Sequence, residues 1–286
     1  MVENECKCTF WEDGKRMNHI IPEQRRTLIY NLIQQRGSVS VQELADLSGA
    51  SISTIRRDLD ELARRGTIER THGGAILTLA QQTTFEPGYK IASRMFTGEK
   101  AAIGRTCTDL LEQGQSVIFD SSSTVYQAAR AVVDRKFTML ALTNDINIAA
   151  ALANSSSIQL KVIGGSLRPG SYTLLGDPGL SFLNQLHVDV CLLGIQSIGG
   201  HLMGNTGDAA DGTLSDTSLE VAAMKRAMIQ AARKTVVLAD SSKFGPPAFS
   251  DVSDFSTIDV LITDSGIKPA QKEALESAGV QVIVAS

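Results

Sequence analysis

Apolar positions recur along this chain in two manners, and the change between them divides it. From residue 22 to 62 they fall at helical spacing. Pro22 suits the first turn of a helix, where its missing N–H costs nothing. Leu28 with Leu32 and Ile29 with Ile33 follow at i, i+4, and Gly37 supplies a stop. Ser40 with Glu43 three residues on reads as a capping box for a second helix, with Leu44 and Leu47 facing inward and Gly49 ending it. Ser51 then caps a third helix, whose apolar stripe is Ile52, Ile55, Leu59 and Leu62. Beyond Gly66, two short alternating segments flank Gly73 and Gly74, a pair that favours the positive-φ turn of a hairpin. Residues 78–96 lose the pattern and read as a linker that packs in places.

From residue 97 onward short apolar runs alternate with amphipathic stretches. Strands are expected at 116–119, 137–142, 158–163, 188–194, 235–239, 259–263 and 280–284. Helices are expected around Ile103, Cys107, Leu110 and Leu111, at 124–133, up to 153, at 219–232 and at 269–278. That alternation predicts a doubly wound, mostly parallel α/β domain covered on both faces. The expected organisation is a disordered leader at 1–21, a small helical domain at 22–79, a linker at 80–96 and an α/β domain at 97–286.

Three helices with a glycine turn between the second and third, followed by a hairpin, make a winged helix-turn-helix. Ser51, Ser53, Thr54, Arg56 and Arg57 gather at the leading end of the third helix, where a recognition helix presents side chains to the major groove of double-stranded DNA. Arginine bonds bidentately to guanine or phosphate, and hydroxyls bond either. Arg70 and His72 near the wing tip are within reach of phosphate or minor groove, and Arg56 is spaced to pair with Asp60. Charge alone does not announce a nucleic-acid binder. The whole chain is −4, residues 22–79 carry eight Arg against seven Asp/Glu, and residues 80–286 are net −4. The DNA reading therefore rests on arrangement.

Polar residues of the larger domain cluster where strands end: Asp120, Ser121, Ser122, Ser123 and Thr124; Thr143 and Asn144; Gly164 and Gly165; Asp240 to Lys243. Open α/β sheets bind ligands at such ends. The first cluster opens a helix, so free N–H groups, hydroxyls and the helix dipole together favour phosphate, with Lys243 adding a full charge. No cofactor, metal site or catalytic residue is expected. Cys6 and Cys8 lack a second pair to complete a tetrahedral set, and Cys107 and Cys191 sit in apolar segments as small hydrophobes. The longest apolar runs, 148–153 and 282–285, are far shorter than a membrane span, and the polar start lacks a secretory core, so a cytoplasmic protein is expected, with Met17 an alternative start.

The run SVSVQELADLSGASISTIRRDLDELARRGTIERTHGGA resembles the helix-turn-helix signature of the DeoR family of bacterial transcription regulators. V-x-E-L-A stands at 41–45, S-x-x-T-I-R-R-D-L at 51–59 and G-x-I-x-R-x-H-G-G-A at 66–75, with the opening EQRR at 23–26. The resemblance extends to the C-terminal end through Glu99-Lys100, 120–124, Thr143-Asn144, Gly164-Gly165, Lys225-Arg226 and DSSKFG at 240–245. It implies a sensor domain similar to ribose-phosphate isomerases and CoA-transferases, responsive to a phosphorylated sugar. At the phosphate loop Ser122 stands where many members have glycine.

The expectation is thus a repressor of a sugar-catabolism operon, released or modulated by a phosphorylated sugar. Asp120 to Thr124 and Lys243 would hold phosphate, and Asn144, Asp240, Asp208 or Asp211 would meet sugar hydroxyls. The competing readings are a sugar-phosphate isomerase with a DNA-binding appendage, for which Asp208, Asp211 or Glu220 would be candidate bases, and an activator. Few net positive charges on one winged helix argue for a homodimer or homotetramer.

Overall fold

The computed structural model describes residues 22–36, 38–64, 68–71, 73–77, 83–84, 89–93, 95–200 and 212–286. Cys6, Cys8, Met17, His72, Asp208 and Asp211 lie outside the described residues. The chain divides into two compact units, residues 1–79 and 80–286.

The first unit runs α1 (Pro22–Arg36), β1 (Ser38–Ser40), α2 (Val41–Ser48), α3 (Ile52–Arg64), β2 (Ile68–Arg70) and β3 (Gly74–Leu77). The strands form an antiparallel sheet in the order β1-β3-β2. Ile29, Leu32 and Ile33 of α1 pack with Leu44 of α2, Ile55, Leu59 and Leu62 of α3, and Ile68 and Ala75 of the sheet. Ser40 caps α2 by accepting from the Glu43 amide at 3.0 Å, and Gly49 ends it in the left-handed region.

Three expectations are corrected here. Leu47 and Ile52 are exposed, at 36% and 41%. The buried stripe of α2 is Val41, Leu44, Ala45 and Ser48, which leaves Leu47 to one side, and Ile52 is the first residue of α3, at the end that leaves the core. Gly73 and Gly74 are not at positive φ. Gly74 is needed for close approach instead: a Cβ there would sit 2.2 Å from the Val39 carbonyl oxygen, because β3 lies flat against β1. Strand β1, three residues long, is too short to leave a periodic signal.

The second unit opens with α4 (Tyr89–Ala92), inside the stretch read as linker. It continues α5 (Thr97–Cys107), β4 (Ser116–Phe119), α6 (Ser123–Asp134), β5 (Met139–Thr143), α7 (Ile146–Leu152), β6 (Ile158–Val162), β7 (Ser166–Leu167), β8 (Leu174–Leu175), α8 (Gly179–Leu183), β9 (Val188–Leu193), β10 (Ser197–Gly200) and β11 (Gly212–Asp216). The chain then passes through α9 (Leu219–Ala231), β12 (Ala232–Leu238), β13 (Ser250–Asp254), β14 (Val260–Thr263), α10 (Pro269–Ser277) and β15 (Gln281–Val284).

Seven strands form one parallel sheet in the order β15-β14-β12-β9-β4-β5-β6. Side chains leave each strand alternately for two layers, as the two-residue period requires. Val117 and Phe119 of β4 pack under α5, α6 and α7, through Ile103, Val125 and Ile148. Ile118 points the other way, into a core with Met224 and Met228 of α9 and Leu275 of α10. A separate antiparallel sheet, β10-β11-β13, and the β7-β8 ribbon complete the unit. Successive strands depart from β4 towards β6 on one side and from β9 towards β15 on the other. The gap between β4 and β9 is therefore the topological switch point, where such sheets open a crevice.

Candidate DNA interface and effector cavity

At the leading end of α3 the Ser51 hydroxyl accepts from the Thr54 amide at 3.2 Å, and its oxygen lies 2.9 Å from those of both Ser53 and Thr54. Arg56 and Arg57 are exposed and make no ion pair among the described residues. The expected Arg56–Asp60 pair does not form, because the Asp60 carboxylate takes Arg70 Nε at 3.1 Å. Arg70 is thereby held against α3, and its Nη1 is buried with no hydrogen-bond partner among the described residues. Asp58, the residue after the two arginines, is buried.

In the second unit a cavity of about 220 Å³ opens at the carboxyl ends of β4 and β9. Asp120 to Thr124 form one wall, Gly194 to Gln196 another, and Arg168 to Ser171 with Thr173 a third. Ser122 caps α6 by accepting from the Thr124 amide at 3.1 Å, in extended backbone (φ −159°) that any residue adopts. Serine in place of glycine is therefore tolerated here. Room for its side chain comes from across the crevice, since a Cβ on Gly194 would lie 2.3 Å from the Ser122 Cβ.

Asn144 secures this wall, accepting from the Ser121 amide at 3.2 Å and donating to the Leu174 carbonyl at 3.1 Å. The Ser121 hydroxyl donates to Asp145 at 2.6 Å. Asp145 caps α7, and burial pushes its carboxyl above the usual carboxylate range, offset in part by hydrogen bonds from Ser121 and the Ile148 and Asn147 amides. Lys243 lines the cavity and donates to Gln196 Oε1 at 3.1 Å.

Asp120 also lines the cavity, but it is 2% exposed and already engaged. Its Oδ2 accepts from Lys225 Nζ and, at 3.0 Å, from the Gly194 amide. Burial raises its pKa and the Lys225 ammonium opposes the rise. Lys225 donates further to the Gly194 carbonyl at 2.8 Å and stands 3.6 Å from Asp216. Asp120 thus stands at the cavity wall as a buried anchor for Lys225.

Other expected residues are not brought to the cavity lining. Thr143 is buried beneath it, accepting from the Asp145 amide at 3.1 Å. Gly164 and Gly165 lie at the turn from β6 to β7, where Gly165 (φ +143°) backs onto the Leu175 carbonyl. Asp240 caps a short turn through the Ser242 amide at 3.2 Å, and its Oδ2 has no hydrogen-bond partner among the described residues, although Lys100 Nζ stands 4.0 Å away.

Lining residues that sequence reasoning gave no role are Lys225, Asp216, Arg168, Gln196 and Tyr89. Lys225 had a signal, a lysine among the buried alanines and methionines of α9. Tyr89 had none, lying in a stretch without periodicity. Its hydroxyl accepts from Asn147 Nδ2 at 2.5 Å, its ring meets Tyr172 edge-on at 4.9 Å, and burial raises its pKa to about 12. Cys107 and Cys191 are fully buried thiols, the first pushed up to about 12 by burial. Among the described residues no group of His, Cys, Asp and Glu is arranged to hold a metal ion, and no helix is long and apolar enough to cross a membrane.

A winged helix-turn-helix joined in one chain to an α/β unit with a polar switch-point cavity defines a DNA-binding regulator with a sensor unit. Residues 25–81 match the DeoR-like helix-turn-helix domain and residues 96–265 match the DeoR C terminal sensor domain. The chain belongs to the DeoR family of transcription regulators, and it binds DNA. It is 34% identical to the HTH-type transcriptional regulator GlpR of Haloferax volcanii over 92% of this chain and 98% of that one. It is 31% identical to the glycerol-3-phosphate regulon repressor of Escherichia coli K12 over 85% and 90%. These relatives are named as regulators and repressors, not enzymes. Ribose 5-phosphate isomerase A of Methanocaldococcus jannaschii overlaps 51% of this chain and 53% of its own at 14% identity and a TM-score of 0.35, too partial to add to what the strand order says.

Proposed function

We propose that the chain is a repressor of a sugar-catabolism operon whose hold on DNA is modulated by a small phosphorylated sugar bound in the switch-point cavity. The observation that carries the reading is the meeting of the α6 N-terminus and the hydroxyls of Ser121 to Thr124 with Lys243 and Arg168 around one cavity. Amides and dipole at a helix start favour an anion, and two cations beside it favour a dianion such as phosphate. A sugar's hydroxyls would find Asn144, Gln196 and Asp216 beyond. The name of the glycerol-3-phosphate repressor supports this ligand class.

Residues 22–79 would read DNA through Ser51, Ser53, Thr54, Arg56 and Arg57, and residues 97–286 would sense the effector. Tyr89 and Ala92 line the cavity and follow the DNA-reading unit directly in the chain. A ligand that favours one arrangement of that segment biases DNA affinity by its differential affinity for the two states, and by no more.

Calorimetry with a panel of aldose and ketose phosphates beside the unphosphorylated sugars tests this. One or more phosphates should bind and the parent sugars should not. Lys243→Ala should weaken phosphate binding by about 1.5–3 kcal/mol, the worth of a charged hydrogen bond, with DNA binding intact. Unchanged ligand affinity in that variant removes Lys243 from the site, and no binding across the panel removes the ligand class.

A further inference from the structure

Asp58 occupies a place where α3 calls for an apolar side chain. It lies on the inner face with Ile55, Leu59 and Leu62 and is 3% exposed. Its carboxylate accepts from Arg25 Nε at 2.5 Å and from Arg26 Nη1 at 3.3 Å, both on the first turns of α1. Arg26 also donates to Glu23 at 2.5 Å. The two arginines are 14% and 19% exposed, whereas Arg56 and Arg57, beside Asp58 on α3, face solvent.

A buried ion cluster of this kind is a poor source of stability, because desolvating the charges consumes most of what their attraction returns. What it supplies is register: a carboxylate that must meet two guanidinium groups tolerates one rotation of its helix, where apolar packing tolerates several. At about 100° per residue, Asp58 held inward turns Arg56 about 200° away, to the outer face. We infer that Asp58 is a positioning residue for DNA recognition. It fixes the rotation of α3 against α1, and with it the aim of Arg56 and Arg57. It also keeps Arg25 and Arg26 from the phosphate backbone, where they would add affinity for any sequence. Base contacts require an aimed helix, whereas non-specific binding requires only positive charge.

Two variants of the full chain test this. The probes are a duplex enriched by the wild-type protein from a random-sequence pool and an unrelated duplex of equal length, titrated by fluorescence anisotropy across a salt series. Asp58→Asn should cut the ratio of selected to unrelated affinity by about tenfold or more, the size of one lost base contact. Its salt slope on the unrelated duplex should steepen by about 1–2, as released arginines meet phosphates at roughly 0.9 each. Because Asp58→Asn leaves two arginines uncompensated and so also destabilises the unit, the triple variant Arg25→Met, Arg26→Gln, Asp58→Leu decides. It should melt at or above the wild-type temperature, lose discrimination to a similar degree and keep the wild-type salt slope on both duplexes.

A folded triple variant with wild-type discrimination overturns the inference. So does one whose slope on the selected duplex falls, since Arg25 and Arg26 would then themselves be phosphate ligands. A triple variant that cannot fold overturns it too, by making the cluster a requirement of the fold.

Discussion

Lys100 carries its ammonium group to a site 4% exposed, donating to the Ala92 carbonyl at 2.7 Å and standing 4.0 Å from Asp240. Burial lowers its pKa from 10.5 to about 8, with Asp240 opposing the fall. A depressed folded pKa means that the unfolded chain binds more protons between those two values, so stability rises with pH across that window. Below about 8 the charged lysine costs its full amount, on the order of 3 kcal/mol at 1.36 kcal/mol per unit. Urea unfolding of wild type and Lys100→Met should therefore converge on the variant's side from pH 7 to pH 10.5, wild type gaining relative to Lys100→Met. Parallel profiles would refute the assignment. At the DNA-reading end, Arg57→Ala should abolish operator binding in gel shifts at moderate salt and leave the melting temperature unchanged, because the side chain is exposed and unpaired among the described residues.

At the scale of elements, the cavity depends on how closely β9 passes the start of α6. Gly194→Ala would drive a methyl group into Ser122, whose position is fixed by its cap on Thr124. Overpacking of that kind costs about 1–3 kcal/mol. It should lower the melting temperature of the larger unit and abolish effector binding while DNA binding persists. Adding Ser122→Gly should restore both losses, since it removes the colliding atoms; failure to rescue would show that the two residues do not press on one another.

Most elements were legible in the sequence because one physical rule governs each. The central strands β4, β5, β9 and β14 announce themselves as apolar runs, since both their faces are covered, whereas the edge strands β6 and β15 are partly exposed and read less clearly. Strands β10, β11 and β13 went unread because they are rich in glycine, serine and aspartate and carry too few apolar side chains to show as runs. Asp58 and Lys225 escaped for a shared reason. A pattern of apolar and polar positions assigns every charge to solvent, and only tertiary structure reveals that Arg25 and Asp120 wait inside to meet them. The strand-end clusters were visible as a group, but which of them face the cavity depends on side-chain direction, which Thr143, Asp240 and the two glycines show cannot be read from adjacency in the chain.

For the whole molecule, charge and valency belong together. One winged unit with a near-neutral balance makes few phosphate contacts, and non-specific binding of such a unit at physiological salt is about 10⁻⁴–10⁻⁶ M. Two joined units on a repeated site turn the second encounter into an intramolecular one. Light scattering at micromolar protein should accordingly return at least twice the 30.6 kDa of the chain. A monomer would contradict the argument.

The strand order also sets a timetable. The first unit closes its core within residues 29–75, from neighbours close along the chain. The second cannot begin the centre of its sheet until Ile118 finds Cys191, and it is not finished until β15 is laid against β14. Chains leave the ribosome amino end first, N-terminal domains fold as they emerge, and long-range parallel pairing is slow. During synthesis the nascent protein therefore has its DNA-binding unit before the sheet of its sensor unit is complete.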